Sequence, residues 1–160
     1  MPEITPATLA DVPQLAGLLT ILFTHEVELA PDATKQERAL RLILAQPETG
    51  RIFCAREGGR VLGMVSLLFT ISTAEGGRSA WLEDMIIHPG HRNAGLGRRL
   101  IDHALAAAQT LGCTRVTLLT DGINTSAMRF YERAGFVRSS MVPFRLHLRP
   151  YEEGSAEGGV

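Results

Sequence analysis

Apolar positions along this chain switch between a helical spacing and a strand spacing, and the switches divide it into elements. Val12, Leu15, Leu18, Leu19 and Leu22 recur at intervals of three and four, which predicts a helix from about Leu9 to His25. Thr8-Leu9-Ala10-Asp11 supplies its start, a hydroxyl cap with an acid three residues on. The segment from His25 to Pro31 breaks the pattern, and Asp32 then caps a second helix carrying Leu40, Ile43 and Leu44, ended by Pro47 and Gly50. Arg51 to Arg56 and Arg60 to Ile71 are β-rich runs around Glu57-Gly58-Gly59, where glycine supplies the positive φ of a tight turn, so an antiparallel hairpin is expected.

After a polar loop from Ser72 to Ser79, a strand is expected from near Ala80 through Ile87, with Pro89 ending it. Leu96, Leu100, Ala104, Ala107, Ala108 and Leu111 form one apolar stripe, which predicts a helix from Gly95 or Leu96 to Leu111 with Gly112 as its stop. Thr114 to Thr120 is rich in β-branched residues and bounded by Asp121-Gly122, a further strand. A short helix follows from Asn124 or Thr125, with Ala127, Phe130 and Ala134 inward and Gly135 at its end, and two more strands are expected near Phe136 to Ser140 and Pro143 to Leu148. No internal repeat is visible. The pattern predicts one α/β domain over residues 1–149 and a frayed, acidic, glycine-rich tail over 150–160.

Composition narrows the function classes. The formal net charge of −1, from 16 basic and 17 acidic residues, leaves no global field to hold nucleic acid or an anionic membrane, and neither is expected as a partner. No run of about 18 apolar residues and no basic segment followed by an apolar one is present, so a cytoplasmic protein is expected. Cys54 and Cys113 lie far apart, without a Cys-x-x-Cys or Cys/His cluster. Free thiols and no bound metal are expected.

The chemistry concentrates at Arg92-Asn93-Ala94-Gly95-Leu96-Gly97. A glycine-rich turn between a buried strand and an amphipathic helix points backbone N–H groups at an anion from the positive end of the helix dipole. Arg92 and Arg98 are expected to add charge beside it. A dinucleotide loop would need a third small residue where Leu100 stands, and a triphosphate loop would need Lys-Ser or Lys-Thr where Arg98-Arg99 stand. A tight strand-to-helix connection remains the plain structural reading.

The run from Met85 to Leu100, Met-Ile-Ile-His-Pro-Gly-His-Arg-Asn-Ala-Gly-Leu-Gly-Arg-Arg-Leu, resembles the acetyl-CoA-binding motif of the GNAT superfamily of N-acetyltransferases. A second resemblance lies in Asn124-Thr-Ser-Ala127-Met-Arg-Phe130-Tyr131-Glu132-Arg-Ala-Gly135-Phe136. Together they imply a GNAT-like fold: a mixed, mostly antiparallel sheet of about seven strands flanked by about four helices and splayed at a coenzyme A cleft.

The resemblance further implies that the backbone of Met85, Ile86 and Ile87 pairs with the pantetheine arm. Main-chain amides from Arg92, Asn93, Ala94, Gly95, Leu96, Gly97 and Arg98 would hold the pyrophosphate, and Asn124 would bind the arm from the other side while also capping its helix. Tyr131 matches the family's general acid, although its place beside Ala127, Phe130 and Ala134 also suits a core residue. The expected reaction is acetyl transfer from acetyl-CoA to a primary amine by direct attack in a ternary complex; a non-catalytic coenzyme A-binding module is the alternative. Removal of the amine proton falls to Glu83 first and Asp84 second, since a regular strand can turn only one of two adjacent carboxylates to the cleft. The linker acids Glu26, Glu28 and Asp32, near His25, would suit a cationic acceptor, but a solvated loop is the favoured reading for surface charges. The family also implies a possible homodimer.

Overall fold

The fold, a computed structural model whose described residues are 1–149, starts from a strand that borders the sheet and a turn that fixes the first helix against it. Strand β1 (Glu3–Pro6) leads into a short 3-10 turn over Leu9–Asp11 and then helix α1 (Val12–His25). The predicted helix therefore begins three residues late, because the Thr8 N–H donates to Asp11 Oδ2 at 2.7 Å and tightens the first turn. Arg56 grips the same carboxylate from the sheet with two hydrogen bonds of 3.0 and 2.8 Å. That bidentate grip, ahead of the opposing effect of burial, holds the Asp11 carboxyl below the usual carboxylate range.

Helix α2 (Ala33–Ala45) is capped by Asp32, whose Oδ1 accepts from the Lys35 N–H at 3.1 Å. Strands β2 (Gly50–Glu57) and β3 (Arg60–Ser72) form the predicted hairpin, with Glu57 opposite Arg60 and Gly58 and Gly59 at φ of 55° and 80°. Two consecutive left-handed residues are what a two-residue hairpin turn with the strands' own twist demands. Strand β4 (Gly77–Ile87) starts earlier than expected, because its first residues already pair with the end of β3. Helix α3 (Leu96–Thr110), strand β5 (Val116–Thr117) and helix α4 (Thr125–Arg133) complete the order.

The sheet runs β1-β2-β3-β4-β5, antiparallel throughout except for the parallel pair β4–β5. Alternation along β2 and β3 sends side chains into two cores. Phe53, Leu62, Val65 and Leu67 pack with Leu100, Ile101 and Ala104 of α3, while Cys54, Met64 and Ile52 pack with Leu15, Leu19 and Leu40 of α1 and α2. The four helices are those the periodicity predicts.

The strand count is not. Five strands stand among the described residues instead of about seven. A strand is defined by its neighbour, and the runs predicted at Phe136 to Ser140 and Pro143 to Leu148 have none. Thr114 to Thr120 shrinks to Val116–Thr117 for the same reason, since only those two residues lie alongside β4. The predicted tail, 150–160, lies outside the described residues.

Candidate active site

The parallel pair that closes the sheet is also where it opens. Ala80 faces Val116 and Trp81 faces Thr117, and there the pairing of β4 with β5 stops. Beyond that point β4 bonds only to β3, through Met64↔Ile86 and Gly63↔Ile87. Among the described residues, the second edge of β4 from Leu82 to Ile87 is thus without a strand partner, and an extended arm with amide groups can pair there as an added strand would. Met85, Ile86 and Ile87 lie along this edge.

The turn after β4 ends at the same opening. Asn93 has φ 63° and Gly95 φ 76°, and α3 begins at once at Leu96. Left-handed residues alternating with ordinary ones turn successive N–H groups toward a common point, a concavity suited to anions. The helices α2 and α4 close their N-termini with their own side chains, Asp32 and Asn124, the latter accepting from the Ala127 N–H at 3.0 Å. At the start of α3 the capping position is Gly95, which has no side chain, so the first-turn amides have no internal acceptor.

The arginines have other work. Arg92 Nε donates to the Ile87 carbonyl at 2.9 Å, while Arg98 is held by Asp102 at 2.9 Å and donates to the Arg133 carbonyl at 2.7 Å. Both tie the turn to its surroundings. The two glycines differ as well. A Cβ on Gly95 would meet nothing within 4 Å, so conformation alone favours glycine there, whereas a Cβ on Gly97 would sit 3.4 Å from the Phe130 ring and 3.5 Å from Ile87. Gly95→Val should therefore strain the turn by about 1–2 kcal/mol and weaken acetyl-CoA binding about tenfold by calorimetry. An unchanged dissociation constant would remove the turn from the binding site.

Opposite the turn, β4 carries the two candidate carboxylates through an irregularity. The register passes from Ser66↔Glu83 to Met64↔Ile86, so Val65 faces two residues, Asp84 and Met85. Asp84 takes φ 54°, a left-handed value that short polar side chains tolerate best outside glycine. The expected alternation of Glu83 and Asp84 to opposite faces is therefore broken: Leu82, Met85 and Ile87 all meet the α3 core, and only Ile86 meets the other.

Glu83 is exposed and Asp84 is half-buried. Burial first, then the charges of Glu83 and Glu26, push the Asp84 carboxyl up to about 7. Burial, followed by Asp121, raises Glu26. Tyr131, packed edge-on against Phe130 and Phe136 at ring separations of 5.3 and 5.9 Å, is pushed up to about 12 by burial and then by Glu26.

Glu26 thus stands electrostatically between Asp84 and Tyr131. Its place is fixed by Asp121, whose carboxylate accepts from the Val27 N–H at 3.3 Å. Sequence reading treats Asp121 only as the end of a strand, and nothing in its local pattern signals more: the pairing spans 94 residues of chain. Of the other linker acids, Asp32 caps α2 and Glu28 forms an ion pair with Arg145. His88 Nδ1 accepts from the Gly90 N–H at 3.2 Å and so shapes the turn. The Cys54 thiol is fully buried and pushed up to about 12, by burial and then by Asp11, which leaves it inert.

The profile of the acetyltransferase (GNAT) family matches residues 15–136, most of the chain. The chain belongs to this family. It is similar to a glucosamine 6-phosphate N-acetyltransferase of Trypanosoma brucei brucei, 31% identical over 129 residues that cover 80% of this chain and 75% of that protein. A streptothricin acetyltransferase of Streptomyces lavendulae is 29% identical, over 71% of this chain and 70% of that one. Among solved structures, a putative acetyltransferase from Agrobacterium tumefaciens superposes with a TM-score of 0.76 at 28% identity, covering 91% of this chain and 99% of that one.

As a GNAT protein the chain is an acetyl-CoA-dependent N-acyltransferase, and its split sheet, open β4 edge and uncapped α3 fit the donor that the family uses. Among the described residues, no helix is long and apolar enough to cross a membrane, and no group of three His, Cys, Asp or Glu residues is placed to hold a metal ion.

Proposed function

We propose that the protein acetylates the primary amine of a cationic small molecule by direct attack on acetyl-CoA in a ternary complex. Asp84 serves as the base and Tyr131 as the acid. The observation that carries this reading is the convergence of a carboxyl near neutrality and a firmly protonated phenol on one carboxylate, Glu26, at the mouth of the split between β4 and β5.

The donor supplies a thioester. In this reading its pantetheine arm lies along Met85, Ile86 and Ile87, its pyrophosphate on the amides from Arg92 to Arg98, and Asn124 faces the arm from α4, with its Nδ2 group free of the cap that its Oδ1 makes. Glu26, Asp121 and Glu83 draw an ammonium group into the cleft, and Asp84 takes its proton so that the nitrogen carries a free lone pair. The nitrogen forms a bond to the carbonyl carbon, the carbon–sulfur bond breaks, and Tyr131 gives its hydroxyl proton to the departing thiolate. The second proton leaving the nitrogen passes through solvent to the Tyr131 phenolate, and Asp84 gives the first to bulk water, so that an amide, a free thiol and one released proton remain.

Asp84 is preferred to Glu83 as base because its carboxyl is withdrawn from water and raised to about 7, the poise a general base needs, whereas Glu83 is exposed. The names of two relatives specify glucosamine 6-phosphate and streptothricin.

The test is thiol release from acetyl-CoA across a panel of polyamines, amino sugars and aminoglycosides, with neutral aromatic amines for contrast. Faster release with the cationic acceptors is expected. Equal rates for neutral amines would sink the cationic assignment, and donor binding without any acceptor-dependent release would point to a coenzyme A-binding module instead.

A further inference from the structure

Three arginines among the described residues are half-buried, and two of them have carboxylates beside them. Arg56 holds Asp11 at 2.8 Å, and Arg78 reaches Glu48 at 3.9 Å. The third, Arg51, makes no ion pair or side-chain hydrogen bond among the described residues, and its Nε is shut off from water without an acceptor. A charged donor left unmet away from water costs more than a neutral one, so such a group calls for an explanation.

Arg51 is the second residue of β2, and alternation along the strand sends its side chain to the same face as Phe53, toward α3, while Ile52 between them packs in the other core. The end of α3 does not supply the missing acceptor. The Ala107, Ala108 and Gln109 carbonyls already take the N–H groups of Leu111, Cys113 and Gly112.

What lies beside Arg51 instead is a cavity of about 270 Å³. Pro6, Phe53, Ala107 and Leu111 give it apolar walls, Thr110 adds a hydroxyl, and no acid lines it among the described residues. The Phe53 ring is held edge-on by His103 at 5.0 Å, which keeps that wall in place. At about 30 Å³ for each water-sized unit, the space holds roughly nine non-hydrogen atoms. It is also remote from the donor turn: α3 runs from Leu96 to Thr110, 15 residues, and so spans about 22 Å from one site to the other.

We propose that this cavity is a second ligand site, separate from the donor cleft, that takes a small organic monocarboxylate with an apolar body. The carboxylate accepts from the Arg51 guanidinium in a charge-assisted pair, the body lies against Phe53, Ala107 and Leu111, and the exposed Thr110 offers its hydroxyl at the rim. An unpaired cation in an apolar wall selects for one negative charge and against a neutral ligand of the same shape.

Hexanoate is the probe, and nuclear magnetic resonance is the readout. At millimolar concentration it should shift the Arg51 Nε–H signal and the Thr110 amide saturably, and 1-hexanol should bind at least about tenfold more weakly. Arg51→Met keeps the apolar stem and removes the charge; followed at the Thr110 amide, it should weaken hexanoate at least about tenfold, with unchanged helical circular dichroism. Ala107→Met leaves Arg51 in place and fills the cavity, and should cost as much. Protein saturated with acetyl-CoA should bind hexanoate with the same affinity as free protein. Absence of a saturable shift, equal affinity for hexanol, or full binding by either variant would overturn the proposal. Displacement of hexanoate by acetyl-CoA would place the ligand in the donor cleft and reject a separate site.

Discussion

Replacing Tyr131 with phenylalanine should lower kcat by about 10² to 10³-fold, the usual worth of a positioned acid, while leaving the dissociation constant of acetyl-CoA within about twofold. The ring is held by Phe130 and Phe136, and a phenyl group keeps both edge contacts. What is lost is a proton donor at about 12. A pKa this high keeps the hydroxyl protonated across the working range, and the thiolate it must serve forms only as the carbon–sulfur bond breaks. Rapid-mixing measurement of thiol release separates this from binding. Turnover within about threefold of the unaltered protein would return Tyr131 to the role of a packing residue.

The second large effect belongs to Asp84, and its signature is a pH profile. With the carboxyl at about 7, the base is neutral and idle below that value and ionised above it, so kcat/KM should climb as pH rises through 7. In Asp84→Asn the limb near 7 should vanish, leaving only the acceptor's own titration, and the plateau should fall by about 10² or more. Stability moves the opposite way. A carboxyl raised above its unfolded value near 3.8 contributes stability in full below that pH, and the contribution is lost as pH rises through about 7. At pH 8, then, Asp84→Asn should melt at a higher temperature than the unaltered chain while turning over far more slowly. A variant that keeps the limb at 7 would assign the base elsewhere, with Glu83 next to be tested.

The helices and the hairpin were legible because each rests on local rules: three-and-four spacing in α1 and α3, Asp32 and Asn124 as caps, Gly58-Gly59 in a two-residue turn. The turn between β4 and α3 was legible because Arg92 to Gly97 lies in one short run. Strand partners were not. Phe136 to Ser140 and Pro143 to Leu148 carry strand composition, but composition does not supply a neighbour. The shift at Asp84 was hidden too, since one extra residue in β4 follows from the fit of β3 beside it rather than from the order of Glu83 and Asp84. Asp121 and Glu26 meet only because β5 and the end of α1 come to the same side of the split. The partners of the arginines were hidden for a related reason: charge near a turn says nothing of what it holds, and only the folded chain brings Asp102 to Arg98 and the Ile87 carbonyl to Arg92.

The bare N-terminus of α3 sets two demands on residue 95 against each other. A serine or aspartate side chain there could accept from the helix's own amides, but at φ 76° it would carry the strain of a left-handed residue, which offsets the roughly 1 kcal/mol that such a cap is worth. In the proposed donor pose it would also occupy the seat of the pyrophosphate. Glycine satisfies the backbone and leaves the first-turn amides open, and in that pose the donor supplies the missing cap each time it binds.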